Sequence, residues 1–311
     1  MNDGLPDSQA SYAGRWVARL RGRVIAQGDT PEQALRASRQ SRHKEIPEII
    51  FMFPLPPLVK KIMEVLPAEQ EIYLVGGAVR DLLLSRTSPD LDFVLPAGGI
   101  SAARKVANAL GADFLVLDDK RDAGRVIFSG EDGTRVFLDF SSYRGADLAE
   151  DLRGRDFTVN AIAYDLRAEA LIDPAEGGKD LRAKVIRACS PASLSDDPAR
   201  ILRAVRLAAA LDFHIEKNTR GLMKQAAVEL GRVSSERLRD EIFKMLGGPK
   251  PDACMRALEM LGVFPYLMPE LSAMKGVTQP EPHVYDVWTH TLAALSYLDQ
   301  TISALRVGYE A

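Results

Sequence analysis

The sequence contains few of the residues that build disulfide frameworks and zinc sites, since its 311 residues include two cysteines and four histidines. Cys189 and Cys254 are too few and too isolated for a disulfide scaffold or a cysteine-based zinc site. We expect them to be reduced thiols of a cytoplasmic protein. The sequence also shows neither a signal peptide nor an apolar run of membrane length. We therefore expect no membrane partner.

An excess of positive charge is missing as well. Lysine and arginine together number 40 against 43 acidic residues, which gives a formal net charge of −3. The chain as a whole is therefore not a basic nucleic-acid binder, and any contact with RNA requires a local basic patch. The candidates for this patch are the arginines of residues 200–206 together with Arg232, Arg237 and Arg239. The length allows two or three modules, and 46% hydrophobic residues can fill several cores.

A pair of glycines stands between an apolar segment and a stretch of helix-forming residues. The apolar residues 72–75 predict a buried strand, Gly76 and Gly77 allow a sharp turn, and residues 78–84 favour a helix. Backbone N–H groups at the start of a helix attract anions, and Arg80 would add a guanidinium suited to phosphate oxygens. The pattern predicts a phosphate-binding turn.

Two aspartates follow shortly after this turn, at positions 90 and 92. Because side chains alternate along a strand, Asp90 and Asp92 should share one face while Leu91 and Phe93 point into the protein. Neighbouring carboxylates repel each other unless a cation lies between them, and Mg²⁺ takes a few carboxylates together with water and substrate phosphates. With a triphosphate on the glycine turn, this arrangement points to nucleotidyl transfer.

Each of these features alone has a more common explanation. Most diglycine turns only connect a strand to a helix, and most Asp-x-Asp sequences are solvated strand ends. Their occurrence together and in this order makes the functional interpretation much stronger.

The chain from about Pro54 onward resembles the class II tRNA nucleotidyltransferase and bacterial poly(A) polymerase family, within the polymerase-β-like nucleotidyltransferases. The resemblance lies in four ordered blocks, which are residues 74–81 with 90–92, 137–144, 151–161 and 196–206.

This resemblance implies an α/β (α+β) head with a mixed sheet over residues 54–190, which carries the catalytic residues. It further implies a helical neck for nucleotide selection over residues 191–250 and the start of a helical, tRNA-binding body over residues 251–311. We expect the native body to continue beyond Ala311.

The first 53 residues lie outside the resemblance. Residues 15–20 and 24–27 alternate like two strands, Thr30 opens a capping box with Pro31 at the first helical position, and a helix is expected to run to about Arg42. A strand at residues 49–53 would complete a small ββαβ domain over residues 1–53.

The resemblance also assigns residues of the head to roles. Gly76, Gly77 and Arg80 are expected to contact the triphosphate, and Asp90 and Asp92 to bind two Mg²⁺ ions. The block at residues 137–144 gives a third candidate catalytic residue, Asp139. Asp139 could bind the metal or support the metal site from outside its ligand shell. The alternative is that Asp139 is only a charged residue at a strand edge, without a catalytic role.

The remaining candidates contact the nucleotide. Members of the family use the block around Arg155, Asp156 and Asn160 to hold the ribose, although Asp156 could equally cap the next helix. A helix is expected to open at Asp197, and the resemblance implies that Asp197 and Arg200 act together as a protein template for bases. The carboxylate offers hydrogen-bond acceptors and the guanidinium offers donors, which together match cytosine or adenine. Helix capping by Asp197 is the alternative. Two further arginines of this helix should face the triphosphate or RNA backbone, namely Arg203 and Arg206.

The function implied is template-independent addition of C and/or A nucleotides, from CTP and/or ATP, to the 3′ end of tRNA. A poly(A) polymerase and a non-catalytic RNA-binding relative are the alternatives. Retention of both Asp90 and Asp92 argues against the second, because a pure binding protein gains nothing from two neighbouring carboxylates. The motifs do not distinguish CCA, CC-only, A-only and poly(A) addition, and they leave the oligomeric state open.

Overall fold

The structure is a computed structural model in which residues 14–40, 45–88, 90–130 and 133–309 are described. The chain divides into two compact units. Unit 1 comprises Met1–Leu152 and Asn160–Ala175, and unit 2 comprises Arg153–Val159 and Glu176–Ala311. The stretch predicted as the head, residues 54–190, therefore contributes to both units.

The N-terminal part of unit 1 is the ββαβ arrangement that the sequence predicts. Its elements are β1 (Trp16–Leu20), β2 (Arg23–Gly28), α1 (Pro31–Gln40) and β3 (Glu48–Phe51). The three strands form an antiparallel sheet in the order β2-β1-β3. The predicted end of the helix near Arg42 and the first thirteen residues of the predicted domain lie outside the described residues.

Local sequence explains where α1 begins. The Thr30 hydroxyl accepts a hydrogen bond from the Gln33 backbone N–H at 3.1 Å, and the Gln33 amide oxygen accepts one from the Asp29 N–H at 2.9 Å. These two bonds satisfy donors at the helix start and confirm the predicted capping signal.

A seven-stranded mixed sheet forms the rest of unit 1. Its strands run in the order β10-β9-β4-β5-β8-β7-β6, and β5 and β8 are parallel whereas the other neighbours are antiparallel. The elements are α2 (Pro57–Val65), β4 (Tyr73–Val75), α3 (Gly77–Leu83), β5 (Asp90–Leu95), α4 (Gly99–Leu110), β6 (Asp113–Asp118), β7 (Ala123–Ser129), β8 (Arg135–Ser142), α5 (Leu148–Arg153), β9 (Ala163–Asp165) and β10 (Ala170–Ile172).

The core of this sheet lies on the face opposite the acidic residues. Phe93 of β5 and Phe140 of β8 are fully buried, and their rings stack with centroids 4.7 Å apart. Helix α4 packs on β6, β7 and β8. The apolar side chains of alternate positions thereby bury one face of the sheet and leave the other face for polar residues.

Unit 2 is helical after residue 190 except for one short strand, which the sequence analysis did not predict. Strand β12 (His214–Ile215) pairs in parallel with β11 (Val185–Ile186). The helices are α6 (Gly177–Ala183), α7 (Ser193–Asp196), α8 (Arg200–Leu211), α9 (Lys217–Ala226), α10 (Ser235–Leu246), α11 (Pro251–Met260), α12 (Phe264–Leu267), α13 (Pro269–Ala273) and α14 (Val287–Tyr309). In the described part of the chain, no helix is both long and apolar enough to cross a membrane.

One helix start in unit 1 is capped from a distance. Gly98 precedes α4 and has no side chain, so the Asp122 carboxylate from the β6–β7 turn accepts hydrogen bonds from the N–H groups of Gly98 and Ile100 at 2.8 and 3.0 Å. Burial by itself would raise the pKa of Asp122, but the Ser142 hydroxyl and these N–H groups lower it. The ionised carboxylate therefore stabilises the folded unit.

We predict that Asp122→Ala lowers the free energy of unfolding by about 1–2 kcal/mol, because several N–H donors lose their acceptor. Chemical denaturation measures this, with the exposed Asp119→Ala of the same turn as a control that should change little. Since the folded-state pKa is lowered, the difference should be complete at neutral pH and shrink as the pH falls below about 4. Equal stabilities of both variants at pH 7 would contradict the capping role.

Candidate active site

The two aspartates that the sequence singles out lie at the beginning of β5. Asp90 is exposed and Asp92 is half-buried, while Leu91 and Phe93 between and after them are buried. This alternation confirms that the two carboxylates share a face of the sheet, opposite the core.

The glycine turn lies beside this acidic pair because of the strand register. Val75, the last residue of β4, pairs directly with Asp92 of β5. Gly76 follows with φ 71° and ψ −137° and precedes the first residue of α3, Gly77. A backbone of this kind is accessible to glycine and strained for other residues. The sharp turn therefore depends on Gly76, and it starts one residue from the strand partner of Asp92.

Arg80, predicted to contact a triphosphate, is buried and already engaged by protein groups. Its Nε and Nη2 donate to the two carboxylate oxygens of Asp81 at 2.8 and 2.9 Å, and its Nη1 donates to Asn160 Oδ1 at 2.7 Å. Arg80 thus ties the last turn of α3 to Asn160. Its contact with a triphosphate and the contact of Asn160 with a ribose remain predictions.

Asp139 lies on β8 next to Asp92 of β5, since these two residues are strand partners. Its carboxylate is paired with Arg125 of β7, which donates two hydrogen bonds to it, both 2.7 Å long. The pKa of Arg125 is raised chiefly by these bonds, with smaller contributions from the charges of Asp90 and Asp92. Asp139 therefore brings a guanidinium to the edge of the acidic pair.

The acidic pair fits a magnesium ion through the chemistry of its donors. Mg²⁺ is held by one or two carboxylates and completes its shell with water and substrate phosphates, and Asp90 and Asp92 supply that number on one face. Within the described ranges, no three His, Cys, Asp or Glu side chains are placed to share one metal ion. The structure thus brings together Asp90, Asp92 and the glycine turn, and leaves Asp139 paired with Arg125.

Unit 2 contains the second group of predicted residues, beginning with Asp197. Helix α7 ends at Asp196 and α8 begins at Arg200, so Asp197 lies between helices with an extended backbone of φ −144° and ψ 91°. Proline at position 198 explains this, because the residue before a proline avoids helical dihedrals. The expectation that a helix opens at Asp197 is wrong, and its carboxylate is not used as a helix cap.

The Asp197 carboxylate is held by an arginine from another helix. Arg237 of α10 donates to Asp197 Oδ2 at 2.7 Å, whereas Arg200 Nε lies 3.9 Å from that oxygen. Burial by itself would raise the pKa of Asp197, but the hydrogen bond and charge of Arg237, with the charges of Arg200 and Arg203, lower it. The residue is therefore an anion with one oxygen engaged.

Arg200 is mostly committed to the backbone. Its Nη1 donates to the carbonyl oxygens of Arg155 and Ser193 at 3.2 and 3.1 Å, and its Nη2 donates to that of Gly154 at 3.2 Å. These bonds attach the turn at residues 154–155 to the start of α8. Arg200 therefore has a structural role in addition to the base contact that the sequence suggests.

The arginines farther along α8 are paired with acids that are distant in sequence. Arg203 donates to Asp156 at 3.2 Å and to Glu241 of α10 at 3.4 Å, and Arg206 donates to Glu241 at 2.8 Å. Asp156 and Glu241 are buried. Buried charges of opposite sign stabilise one another only in such networks. The arginine face of α8 is thus neutralised in part, and its contact with phosphates remains a prediction.

Two residues of these sites, Arg125 and Glu241, were missed by the sequence analysis, and Arg237 was named only as a candidate for a basic RNA-binding patch. Arg125 becomes relevant only once the pairing of β7 with β8 is known. Arg237 and Glu241 are four apart in one helix, so they share a face. That spacing was the available signal, but it did not indicate which residues they would meet.

Comparison with known proteins agrees with the sequence blocks. Residues 72–187 match the family model described as the poly A polymerase head domain. Residues 212–275 match the model described as a probable RNA and SrmB-binding site of polymerase A.

Curated relatives include a CC-adding tRNA nucleotidyltransferase of Geobacter sulfurreducens. It is 45% identical over 177 residues, which cover 57% of this chain and 40% of the relative. An A-adding tRNA nucleotidyltransferase of Deinococcus radiodurans is 39% identical over 72% of this chain and 51% of the relative. The chain spans about half the length of the curated relatives it matches.

A solved structure of similar fold is the Thermotoga maritima CCA-adding enzyme complexed with tRNA. It is 31% identical to this chain, with a TM-score of 0.62, over 73% of this chain and 55% of the other. The likeness therefore extends over most of the present chain and confirms the mixed α/β fold.

We predict that Gly76→Ala destabilises unit 1 by about 1–3 kcal/mol, because alanine is strained at this backbone conformation. Gly77→Ala is the matched control. A Cβ at Gly77 would meet Arg80 Nη2 at 3.5 Å, an ordinary contact, and alanine favours the helix. Urea unfolding of both variants tests this, and a loss of stability in Gly77→Ala as large as in Gly76→Ala would contradict it.

Proposed function

We infer the function of this chain from its family, since it belongs to the class II tRNA nucleotidyltransferases and bacterial poly(A) polymerases. It transfers nucleotides from CTP, ATP or both to the 3′ end of a tRNA and releases pyrophosphate. The observation that carries the proposal is the position of the acidic pair Asp90 and Asp92 beside the turn at Gly76. The reaction takes place in the cytoplasm, where both cysteines remain free thiols.

The residues of unit 1 perform the chemistry in this proposal. The N–H groups of the turn at Gly76 and Gly77 bind triphosphate oxygens, because a short turn of this kind exposes donors that no side chain covers. Arg80 positions the turn through Asp81 and Asn160 and adds positive charge near the phosphates.

The family generally uses divalent metal ions. In this chain Asp90 and Asp92 would hold two Mg²⁺ ions, with the half-buried Asp92 orienting its carboxylate more firmly than the exposed Asp90. When bound, such ions would polarise the α-phosphate, lower the pKa of the attacking hydroxyl and offset the charge of the leaving pyrophosphate. Asp139 acts from outside the metal shell by holding Arg125 beside the carboxylates.

Unit 2 selects the base. Asp197 offers an acceptor and Arg200 a donor, a combination that fits cytosine and adenine better than uracil and guanine. In this proposal Arg155 and Asp156 approach the ribose, and Arg203 and Arg206 lend positive charge that Asp156 and Glu241 reduce.

We predict that incubation with tRNA lacking CCA, or ending in C or CC, will give products extended by a defined number of nucleotides. CTP, ATP, UTP and GTP are supplied singly and in mixtures, and labelled products are sized on a gel. Addition of CC, A or CCA supports the proposal and identifies the activity. Long tracts of A on any RNA would favour a poly(A) polymerase, and extension with none of the triphosphates would refute the function.

We also predict that Asp92→Asn lowers incorporation by at least about 100-fold, because loss of a metal-binding carboxylate should cost no less than loss of an outer-shell partner. Thermal unfolding should show that the variant still folds. The control is Asp113→Asn, which makes the same change at an exposed position that begins β6. Activity of Asp92→Asn within a few-fold of the parent would remove Asp92 from the mechanism.

A further inference from the structure

The carboxylate of Asp197 is oriented by one hydrogen bond. Asp197 lies between α7 and α8, so no helix determines the direction of its side chain. The bond from Arg237 Nη2 to Asp197 Oδ2 is 2.7 Å, whereas Arg200 approaches no closer than 3.9 Å through its Nε. Arg237 is therefore the group that determines where the other oxygen points.

That other oxygen, Asp197 Oδ1, is buried and has no hydrogen-bond partner in the described parts of the chain. A buried acceptor without a donor is unfavourable by about 1–3 kcal/mol, so such atoms are rare unless a ligand supplies the donor. The amino groups of cytosine and adenine are donors of this kind, whereas uracil and guanine present a carbonyl oxygen at the same edge position. Asp197 Oδ1 can therefore accept a hydrogen bond from cytosine or adenine, whereas the carbonyl oxygen of uracil or guanine offers it no donor.

The position of Arg237 is itself fixed by the packing of α10 on α8. Glu241, one turn after Arg237, receives hydrogen bonds from both Arg203 and Arg206 of α8. Residues four apart lie on the same face of a helix, so this buried ion pair aligns Arg237 with the loop before α8. The Arg237 side chain remains 52% exposed, so its pair with Asp197 contributes little to stability. Its effect is on orientation.

We propose that Arg237 is a positioning residue for base selection, which holds Asp197 so that its free oxygen accepts the amino group of cytosine or adenine. This proposal rests on the proposed function. Arg237 does not touch the base; it acts through Asp197, and its removal lets the carboxylate rotate away from the orientation in which its free oxygen meets the base.

The test is to measure kcat and KM for CTP, ATP, UTP and GTP with the parent, Arg237→Ala and Arg237→Lys. Arg239→Ala is the matched control, since Arg239 lies on the same helix and pairs with its neighbour Asp240 at 3.1 Å. In Arg237→Ala the preference for the accepted over the rejected bases should fall by about 10- to 100-fold. Lysine, which keeps one charged donor, should restore part of it, and Arg239→Ala should keep the parental preference.

A pH profile separates orientation from a merely structural role. Arg237 lowers the pKa of Asp197 while burial raises it. Without Arg237 the pKa should rise, so that the carboxylate is protonated and base preference is lost at a higher pH than in the parent. A general loosening of unit 2 would lower the rates with all four triphosphates but would not change the pH below which base preference is lost. The proposal is overturned if Arg237→Ala keeps the parental base preference and loses it at the same pH as the parent.

Failure of this proposal can be told apart from failure of the proposed function. If the parent incorporates no nucleotide, the function fails, and equilibrium binding of CTP against UTP to the parent and Arg237→Ala still tests the orientation of Asp197. Equal binding ratios in the two proteins would refute it. If Arg237→Ala does not fold, Arg237→Gln, which keeps a neutral donor, takes its place and should retain base preference while raising the pKa of Asp197.

Discussion

The pairing of β4 with β5 is the constraint on which the candidate active site depends. Val75 ends β4 opposite Asp92, and the backbone turns at Gly76 immediately afterwards. A shift of this pairing by one residue would turn Asp90 and Asp92 toward the core and bring Leu91 and Phe93 to the surface. Burial of Leu91 and Phe93 therefore keeps the carboxylates beside the turn.

Ion pairs between distant segments organise both units. In unit 1 Arg125 holds Asp139 next to Asp92, and in unit 2 Glu241 holds two arginines of α8. These contacts take charged side chains that could bind substrate and give them partners within the protein. Because these arginines are paired, less positive charge is available to a phosphate than the number of arginines suggests. A carboxylate oxygen that accepts no hydrogen bond is therefore more informative about function.

The sequence predicted the parts of the site that depend on neighbours in the chain. The alternation of residues 90–93 follows from strand geometry, and the mixed sheet and helical second unit follow from the family resemblance. The helix start at Asp197 was predicted wrongly, because Asp-Pro is also a common helix-opening pair. Here α8 begins only at Arg200, and the Asp197 carboxylate pairs with Arg237 instead of capping the helix.

By itself, the sequence determined the glycine turn, the shared face of Asp90 and Asp92 and the capping of α1, since each involves residues a few positions apart. Only the tertiary structure decided the partners of four charged residues. Asp139 pairs with Arg125, 14 positions away, and Asp197 pairs with Arg237, 40 positions away. Arg203 and Arg206 both pair with Glu241, which lies 38 and 35 positions from them. The physical reason is that charge attraction has no sequence period. Any acid can pair with any arginine until the packing of strands and helices brings one particular pair within reach.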